Sequence, residues 1–138
     1  MTVTNEKTKW TVKAQQAYES LLTHYWNEEL EMVNNHYLNP NNTSNLTFHY
    51  WWYAHAIDSM VDAYIRSNDE KILSYIQKEY DGLVFRNGGQ PTNLLYDDME
   101  WLAIALLRAY KVSNRDKYLH DVHILWDDIK KGWNDQMG

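Results

Sequence analysis

A nine-residue pattern occurs twice in this chain and restricts the folds that the chain can adopt. The pattern Ala-Tyr-x-x-Ser-Asn-x-x-Lys begins at Ala63 and again at Ala109, 46 residues later. In both places it joins the end of one predicted helix to the start of the next, so the repeated unit is a pair of helices. Helical pairs that stack in this way build either an open α-solenoid or a closed double ring of helices.

Helices are predicted along the whole chain, because apolar residues recur at the 3.6-residue spacing and turn-forming residues separate the periodic segments. No segment alternates with period two between hairpin turns, and we therefore predict no strands. A turn is predicted at 39–45, where Pro40 lies among asparagines. The five predicted helices span approximately residues 10–38, 47–66, 69–85, 97–112 and 115–132.

The two helices of each repeated unit differ in the distribution of apolar residues. The first is apolar on nearly all sides, whereas the second is amphipathic. This difference predicts an inner layer of apolar helices and an outer layer that faces solvent. The 138 residues suit one domain made of three such pairs, and a closed ring needs about twice as many.

Composition excludes several classes of function. A formal charge of −6 without a basic run argues against nucleic-acid binding, which requires clustered Lys and Arg. The absence of cysteine excludes disulfides and thiolate metal sites, and His49 and His55 do not share a helical face, so we expect no metal and no cofactor. No stretch reaches the roughly 18 apolar residues of a membrane span. The amino terminus lacks the apolar core of a signal peptide, which predicts a cytoplasmic protein and leaves secretion open.

Large rings that carry a polar atom are abundant, with seven tryptophans and eleven tyrosines against two phenylalanines. Such rings stack on sugars and also fill the seams between helices. By the repeat offset, Trp51 and Trp52 occupy the places that Asp97 and Asp98 occupy one unit later. We therefore expect these four side chains to line the same mouth, while His55 is either a core histidine or a sugar contact.

The adjacent carboxylates of Asp97 and Asp98 have two interpretations. With Glu100 they have the Asp-x-x-Glu form of a capping box, and acids in a first turn are stabilised by the helix dipole. Alternatively, they open an inner helix and should face the central cavity. Glycoside hydrolysis needs one protonated and one ionised carboxyl group beside the scissile bond. The spacing permits this chemistry without identifying it.

A second aspartate pair, Asp127 and Asp128, lies within a predicted outer helix. Lys130 and Lys131 follow within one turn, a spacing that is typical of ion pairs on a solvated helix face. We expect this pair to have no catalytic role.

Four motifs of the chain, in this order, resemble glycoside hydrolase family 76. The resemblance extends from about Trp10 to the end of the chain and rests on the combination, since an Asp-Asp pair alone is not specific. The motifs are the segment 51–64, the turn Arg86-Asn87-Gly88-Gly89, the segment Tyr96-Asp97-Asp98-Met99-Glu100-Trp101-Leu102-Ala103, and Trp126-Asp127-Asp128-Ile129 followed by Gly132-Trp133-Asn134-Asp135.

This resemblance implies an all-α fold built from the helical hairpins of an (α/α)6 barrel, and endo-acting cleavage of α-1,6-mannan with retention of configuration. It also implies that Asp97 is the nucleophile and Asp98 the acid/base, although the order of the roles stays open. The residues expected to contact an oligosaccharide or polysaccharide substrate are Trp51, Trp52, His55, Tyr96 and Trp101.

The chain departs from the family pattern after Asp135, where members of the family continue with a glycine-rich segment and further helices. We therefore expect residues 1–138 to form a partial barrel domain, truncated and of doubtful activity alone, whose exposed inner helices favour self-association. Two other functions stay open. One is a non-catalytic carbohydrate-binding module that uses Trp51, Trp52 and Trp101 as platforms, and the other is an α-solenoid that binds a protein partner.

Overall fold

The computed structural model describes residues 3–38, 43 and 45–136, and five α-helices and one small sheet occupy this part of the chain. The predicted turn at 39–45 lies mostly outside the described residues. A single 3₁₀ turn, Lys130–Gly132, follows the last helix. The elements are α1 (Val3–Tyr25), β1 (Trp26–Asn27), β2 (Met32–Val33), α2 (Tyr50–Ser67), α3 (Lys71–Arg86), α4 (Tyr96–Ser113) and α5 (Asp116–Ile129).

Helices α2 to α5 confirm the four later predicted helices to within about three residues. The first predicted helix, 10–38, is wrong at both ends, and the prediction of no strands is wrong at the same place. Helix α1 stops at Tyr25 because the Oδ1 atom of Asn27 accepts hydrogen bonds from the backbone N–H groups of Glu29 and Leu30, both at 3.0 Å. This Asx turn reverses the chain, and β2 then pairs antiparallel with β1.

The core lies between the two helical pairs. The inner helices α2 and α4 pack side by side, with α3 against α2 and α5 against α4. This arrangement is the predicted division into an inner and an outer layer. The largest fully buried side chains of α2 and α4 are Tyr53, Ile57, Met60, Met99, Leu102 and Leu106.

The repeated pattern has the same geometry in both copies. Asn68 and Asn114 each end an inner helix in the left-handed region, with φ 53° and ψ 29°. Each donates its backbone N–H at 2.8 Å to the tyrosine carbonyl four residues earlier. The serine hydroxyl before each asparagine donates to the alanine carbonyl one turn back. The repeat is therefore structural, since asparagine tolerates this conformation better than most residues.

Polar contacts join the outer layer to its surroundings. The hydroxyl of Tyr80 on α3 donates to Oδ2 of Asp121 on α5 at 2.6 Å, which links the two outer helices. Glu79 of α3 is fully buried, and its Oε2 atom accepts the backbone N–H of Val33 in β2 at 2.9 Å. Burial raises the pKa of Glu79 to about 8, while the hydrogen bond from Val33 opposes this shift. The small sheet is thus fixed to α3 by a buried acid.

Candidate active site

The acid pair lies inside the first turn of α4 and does not cap it. The helix begins after Leu95, which is extended with φ −109° and ψ 118°, and no side chain of the capping residue bonds to the helix. The capping-box interpretation of Asp97 and Glu100 is therefore wrong. Asn93 forms the local turn instead, because its Oδ1 atom accepts the backbone N–H of Leu95.

The two carboxylates have different surroundings. Asp98 is only 6% exposed, and its Oδ2 atom accepts a hydrogen bond of 2.8 Å from the side-chain amide of Asn93. Asp97 is exposed, and its carboxylate has no hydrogen-bond partner among the described residues. The carboxylate of Asp98 is therefore fixed by the protein, whereas that of Asp97 is open to solvent.

The segment that carries Asn93 is fixed at its start by the end of α3. Gly88 and Gly89 follow the helix with φ values of 81° and 85°, a conformation in which a side chain is strained. The side-chain amide of Asn87 then donates to the carbonyls of Gln90 and Thr92 at 2.7 and 2.8 Å. The Arg-Asn-Gly-Gly turn thus determines where the chain returns toward α4.

Tyr50, the first residue of α2, holds the middle of the same segment. It is buried, and its hydroxyl donates to the carbonyl of Pro91. Burial raises the pKa of Tyr50 well above its usual value, and the nearby carboxylate of Asp98 acts in the same direction. The phenol therefore keeps its proton and remains a donor over the whole physiological pH range.

Arg86 at the end of α3 holds Phe48, which precedes α2, in place. Its guanidinium lies 5.1 Å from the ring centroid of Phe48 and 5.7 Å from that of Tyr53. It also donates to the hydroxyl of Tyr53 at 2.9 Å and to the carbonyl of Asn45. A single cation thus binds the end of α3 to the segment that precedes α2.

The segments around Phe48 and Asn93 border an open cleft of about 570 Å³ that contains the acid pair. Trp51 on α2 and Trp101 on α4 lie along it, each 46% exposed. The ring of His55 contacts both, with centroids 5.7 Å from Trp51 and 4.7 Å from Trp101. The residues that line the cleft are Phe48, His49, Tyr50, Trp51, Asn93, Leu95, Asp97, Asp98 and Trp101.

The structure brings only some of the predicted site residues together. Trp51 and Trp101 line the cleft with both aspartates, whereas His55 contacts the two indoles without lining the cleft. Trp52 does not line it, and its ring stacks on that of His49, which does, with centroids 4.1 Å apart. Tyr96 lies outside this cleft as well and lines a neighbouring one.

Five residues of the cleft were not predicted from the sequence, namely Phe48, His49, Tyr50, Asn93 and Leu95. Asn93 had a readable signal, since an asparagine two residues before a helix start is typical of an Asx turn. Phe48 and Tyr50 had none, because their positions depend on contacts with Arg86 and Pro91, which are 38 and 41 residues away in the chain.

A family model described as glycosyl hydrolase family 76 matches residues 7–138. The chain belongs to glycosyl hydrolase family 76. The resemblance noted in the four sequence motifs is confirmed by this match. No curated protein matches the chain.

Two solved structures have the same fold as this chain. The Lin0763 protein of Listeria innocua superposes with a TM-score of 0.80 at 37% identity, over 94% of this chain and 38% of that one. The GH76A α-1,6-mannanase of Salegentibacter sp. HEL1_6 superposes with a TM-score of 0.80 at 34% identity, over 94% and 36%. The chain thus spans just over a third of the length of these proteins. The predicted fold class, helical hairpins of an incomplete (α/α)6 barrel, is confirmed.

The same mannanase is known as an inactive variant in which two consecutive aspartates are replaced by alanine, in complex with α-1,6-mannotetrose. That structure superposes with a TM-score of 0.78 at 32% identity, over 91% of this chain and 35% of the other.

The second aspartate pair of this chain, Asp127 and Asp128, lies on the outer helix α5, as expected. Lys130 approaches Asp127 to 2.8 Å and Lys131 approaches Asp128 to 2.5 Å. The hydrogen bond and charge of Lys130 hold the pKa of Asp127 below its usual value. Both acids are thus engaged in local ion pairs.

The described residues show neither a metal site nor a membrane-spanning helix. They contain no group of His, Cys, Asp and Glu side chains that is placed to hold a metal ion. No helix in the described part of the chain is long and apolar enough to cross a membrane.

Proposed function

We propose that this chain carries the catalytic acid pair of a retaining glycoside hydrolase that acts on α-1,6-mannan or a related α-mannoside. One observation carries the proposal. Asp97 and Asp98 lie in one open cleft beside the exposed rings of Trp51 and Trp101. The match to a mannanase that is inactive without two consecutive aspartates supports it.

The chain contains two consecutive aspartate pairs, and their surroundings favour the first. Asp127 and Asp128 each face a lysine on the outer helix α5. Asp97 and Asp98 have no lysine or arginine partner among the described residues, and they open into a cleft large enough for a pyranose. The lysines favour the ionised form of Asp127 and Asp128, which disfavours proton donation by either acid, and so we assign catalysis to the first pair.

In a retaining mechanism one carboxylate attacks the anomeric carbon as the glycosidic oxygen leaves with a proton from the other acid. Water then cleaves the covalent glycosyl ester, and the second group removes a proton from that water. We assign attack to Asp97, whose carboxylate projects into the cleft. Asp98 transfers the proton, because the bond from Asn93 occupies Oδ2 and leaves Oδ1 available.

Trp51 and Trp101 supply the surface on which the sugar lies. Their indole faces can cover the apolar C–H face of a pyranose, which leaves its hydroxyl groups for polar partners. His55 supports this function, since its ring contacts both indoles and restricts their orientation.

The test is incubation of the purified chain with α-1,6-mannan, followed by analysis of the products. Release of mannooligosaccharides by the native chain, and none by Asp97→Asn or Asp98→Asn, would support the proposal. Asp127→Asn serves as the matched control and keeps full activity. Proton NMR of the first products gives the stereochemistry, with the α-anomer expected. Near-normal turnover by either Asp97 or Asp98 variant would overturn the assignment.

Binding without cleavage is the second candidate function. It is favoured by the exposed indoles of Trp51 and Trp101. Titration with α-1,6-mannooligosaccharides separates the two candidates. Saturable binding that is lost in Trp101→Ala, without release of products, supports a binding module.

A further inference from the structure

Asn87 is the only asparagine of the chain that precedes a glycine. Glycine has no Cβ atom, so its backbone nitrogen reaches the side-chain carbonyl of a preceding asparagine with little hindrance. Gly88 is exposed, and its N–H donates only a long bond of 3.3 Å, to the carbonyl of Phe85. Asparagine is among the thermolabile residues of proteins. The pair therefore makes the turn after α3 a candidate site of spontaneous chemical modification.

The amide group of Asn87 holds this turn closed. Its Nδ2 atom donates to the carbonyls of Gln90 and Thr92, at 2.7 and 2.8 Å, and so uses both of its N–H bonds. A carboxylate in the same place has no proton to donate and faces two carbonyl oxygens. Conversion of the amide to an acid therefore replaces two attractions by repulsion. Asn93, which binds Asp98, follows Thr92 directly, so the change reaches the segment that holds the acid pair.

The closed turn also protects the amide that holds it. With a ψ angle of 18° at Asn87, the nitrogen of Gly88 points away from the side chain and cannot attack its Cγ atom. Tyr50 restrains the same turn, because its hydroxyl donates to the carbonyl of Pro91. Attack therefore requires local opening of the segment 87–92, which costs the free energy of these contacts.

We propose that Asn87 is a deamidation site that is exposed by local opening of the segment 87–92, and that the product keeps this segment open. In the open state a base removes the N–H proton of Gly88, and the nitrogen forms a bond to Cγ of Asn87. The bond from Cγ to the amide nitrogen breaks, and this nitrogen takes a proton from water and leaves as ammonia. Water then adds to one carbonyl of the succinimide ring and opens it to aspartate or isoaspartate. This chemistry needs no substrate and is independent of the proposed function.

Mass spectrometry of tryptic peptides measures the conversion during incubation of the purified chain at 37 °C. We expect Asn87 to convert at pH 8.5 and far more slowly at pH 5.5, because the attack needs a deprotonated nitrogen. The exposed Asn68 and Asn114, which precede Asp69 and Arg115, are internal controls and should stay largely intact. Isoaspartyl methyltransferase with labelled S-adenosylmethionine detects the isoaspartate product.

Removal of one hydroxyl group tests whether opening of the turn controls the rate. Tyr50→Phe loses the hydrogen bond to Pro91, and we expect it to raise the rate at Asn87 roughly fivefold. Tyr64→Phe is the matched control on the same helix, since its hydroxyl donates to Glu70 in a different turn. The wild-type chain unfolded in urea should convert at least about tenfold faster than the folded chain.

The effect of the product on the fold is measured by thermal denaturation. Asn87→Asp should lower the melting temperature by about 5 to 10 °C, because both hydrogen bonds of the amide are lost. Gln90→Glu adds the same charge at an exposed position of the same turn and should leave the melting temperature nearly unchanged. Wild-type chain that is fully converted at pH 8.5 should melt like Asn87→Asp or below it.

Conversion at Asn87 that is no faster than at Asn68 and Asn114 overturns the proposal. Equal rates in the folded chain and in urea also overturn it, as does an unchanged rate in a folded Tyr50→Phe variant, because opening of the turn then does not control the reaction. An Asn87→Asp chain that melts with wild type shows that the product does not keep the segment open. Circular dichroism checks that each variant is folded, and the comparison with urea decides the role of opening if Tyr50→Phe is not.

Discussion

The side-chain amide of Asn93 donates a hydrogen bond of 2.8 Å to Oδ2 of Asp98 and, through Oδ1, accepts the backbone N–H of Leu95. One side chain thus determines both where α4 begins and where the buried carboxylate points. The hydroxyl of Tyr50 donates a hydrogen bond to the carbonyl of Pro91 and so fixes the same segment at a second point. Asn93 is therefore a positioning residue for Asp98 in the proposed reaction.

Replacement of Asn93 by alanine is expected to lower kcat on α-1,6-mannan roughly tenfold to a hundredfold, with a much smaller change in KM. The reason is that a carboxyl group displaced by a fraction of an ångström no longer meets the leaving oxygen, while the sugar platforms remain. The measurement is steady-state kinetics on mannan. Gln90→Ala is the control in the same segment, and it should leave both constants unchanged. A variant whose KM rises while kcat holds would instead place Asn93 in substrate binding.

The paired asparagines of the repeat give a prediction for stability. Asn68→Ala and Asn114→Ala should each lower the free energy of unfolding by about 1 kcal/mol, because alanine is disfavoured at φ 53°. Asn68→Gly and Asn114→Gly should be close to neutral. The two sites are in different units, so their effects should add. Urea denaturation measures all four, and a double variant with much less than the summed effect would show that the two turns are coupled.

The sequence predicted the repeat but not the end of the first helix, although both depend on local interactions. The repeat could be read because its turn chemistry is local, with Ser67 and Asn68 bonding only to residues of the same turn. The first helix was predicted too long because the apolar spacing continues past Tyr25. The Asx turn of Asn27, which ends the helix, competes with that spacing and is as local as the turns of the repeat.

The candidate site was only partly predictable because some of its contacts join residues that are far apart in the chain. The acid pair and the exposed indoles follow from sequence pattern and helical register. Trp52 was misplaced because the repeat offset fixes its position on the helix but not its neighbours, and the ring turns toward His49. The separation of a buried Asp98 from an exposed Asp97 depends on Asn93 and on Tyr50, which lies 48 residues before Asp98. Contacts of that range are not contained in a local pattern.

Exposed apolar side chains on the inner helices predict self-association of the purified chain. Ile65 on α2 and Ile104 on α4 are 56% and 51% exposed, and Trp101 lies on the same side of α4. Ile104→Glu should raise the concentration at which dimers form about tenfold, because a charge at an apolar contact is costly to bury. Phe85→Glu on α3, where the wild-type ring is 83% exposed, is the control. Multi-angle light scattering over a concentration series measures this, and a monomer at all concentrations would contradict it.

Glu79 is the clearest source of a pH-dependent stability. Its carboxyl group is buried, its Oε1 atom has no hydrogen-bond partner in the described residues, and burial raises its pKa from an ordinary value of 4.5 to about 8. Between these two values the unfolded chain loses a proton that the folded chain keeps. The free energy of unfolding contributed by this group is therefore fully present below about pH 4.5 and falls as the pH rises toward 8.

Replacement of Glu79 by glutamine should remove this dependence, because a neutral amide keeps the acceptor for the backbone N–H of Val33 and has no proton to lose. Urea denaturation at pH 5, 6, 7 and 8 gives the free energy of unfolding of both chains. The difference in favour of Glu79→Gln should grow by up to about 1.4 kcal/mol per pH unit across this range. Glu19→Gln, at an exposed site on α1, should follow the wild-type curve. Parallel curves for wild type and Glu79→Gln would mean that Glu79 is ionised in the folded protein, with the small sheet opened to admit water beside it.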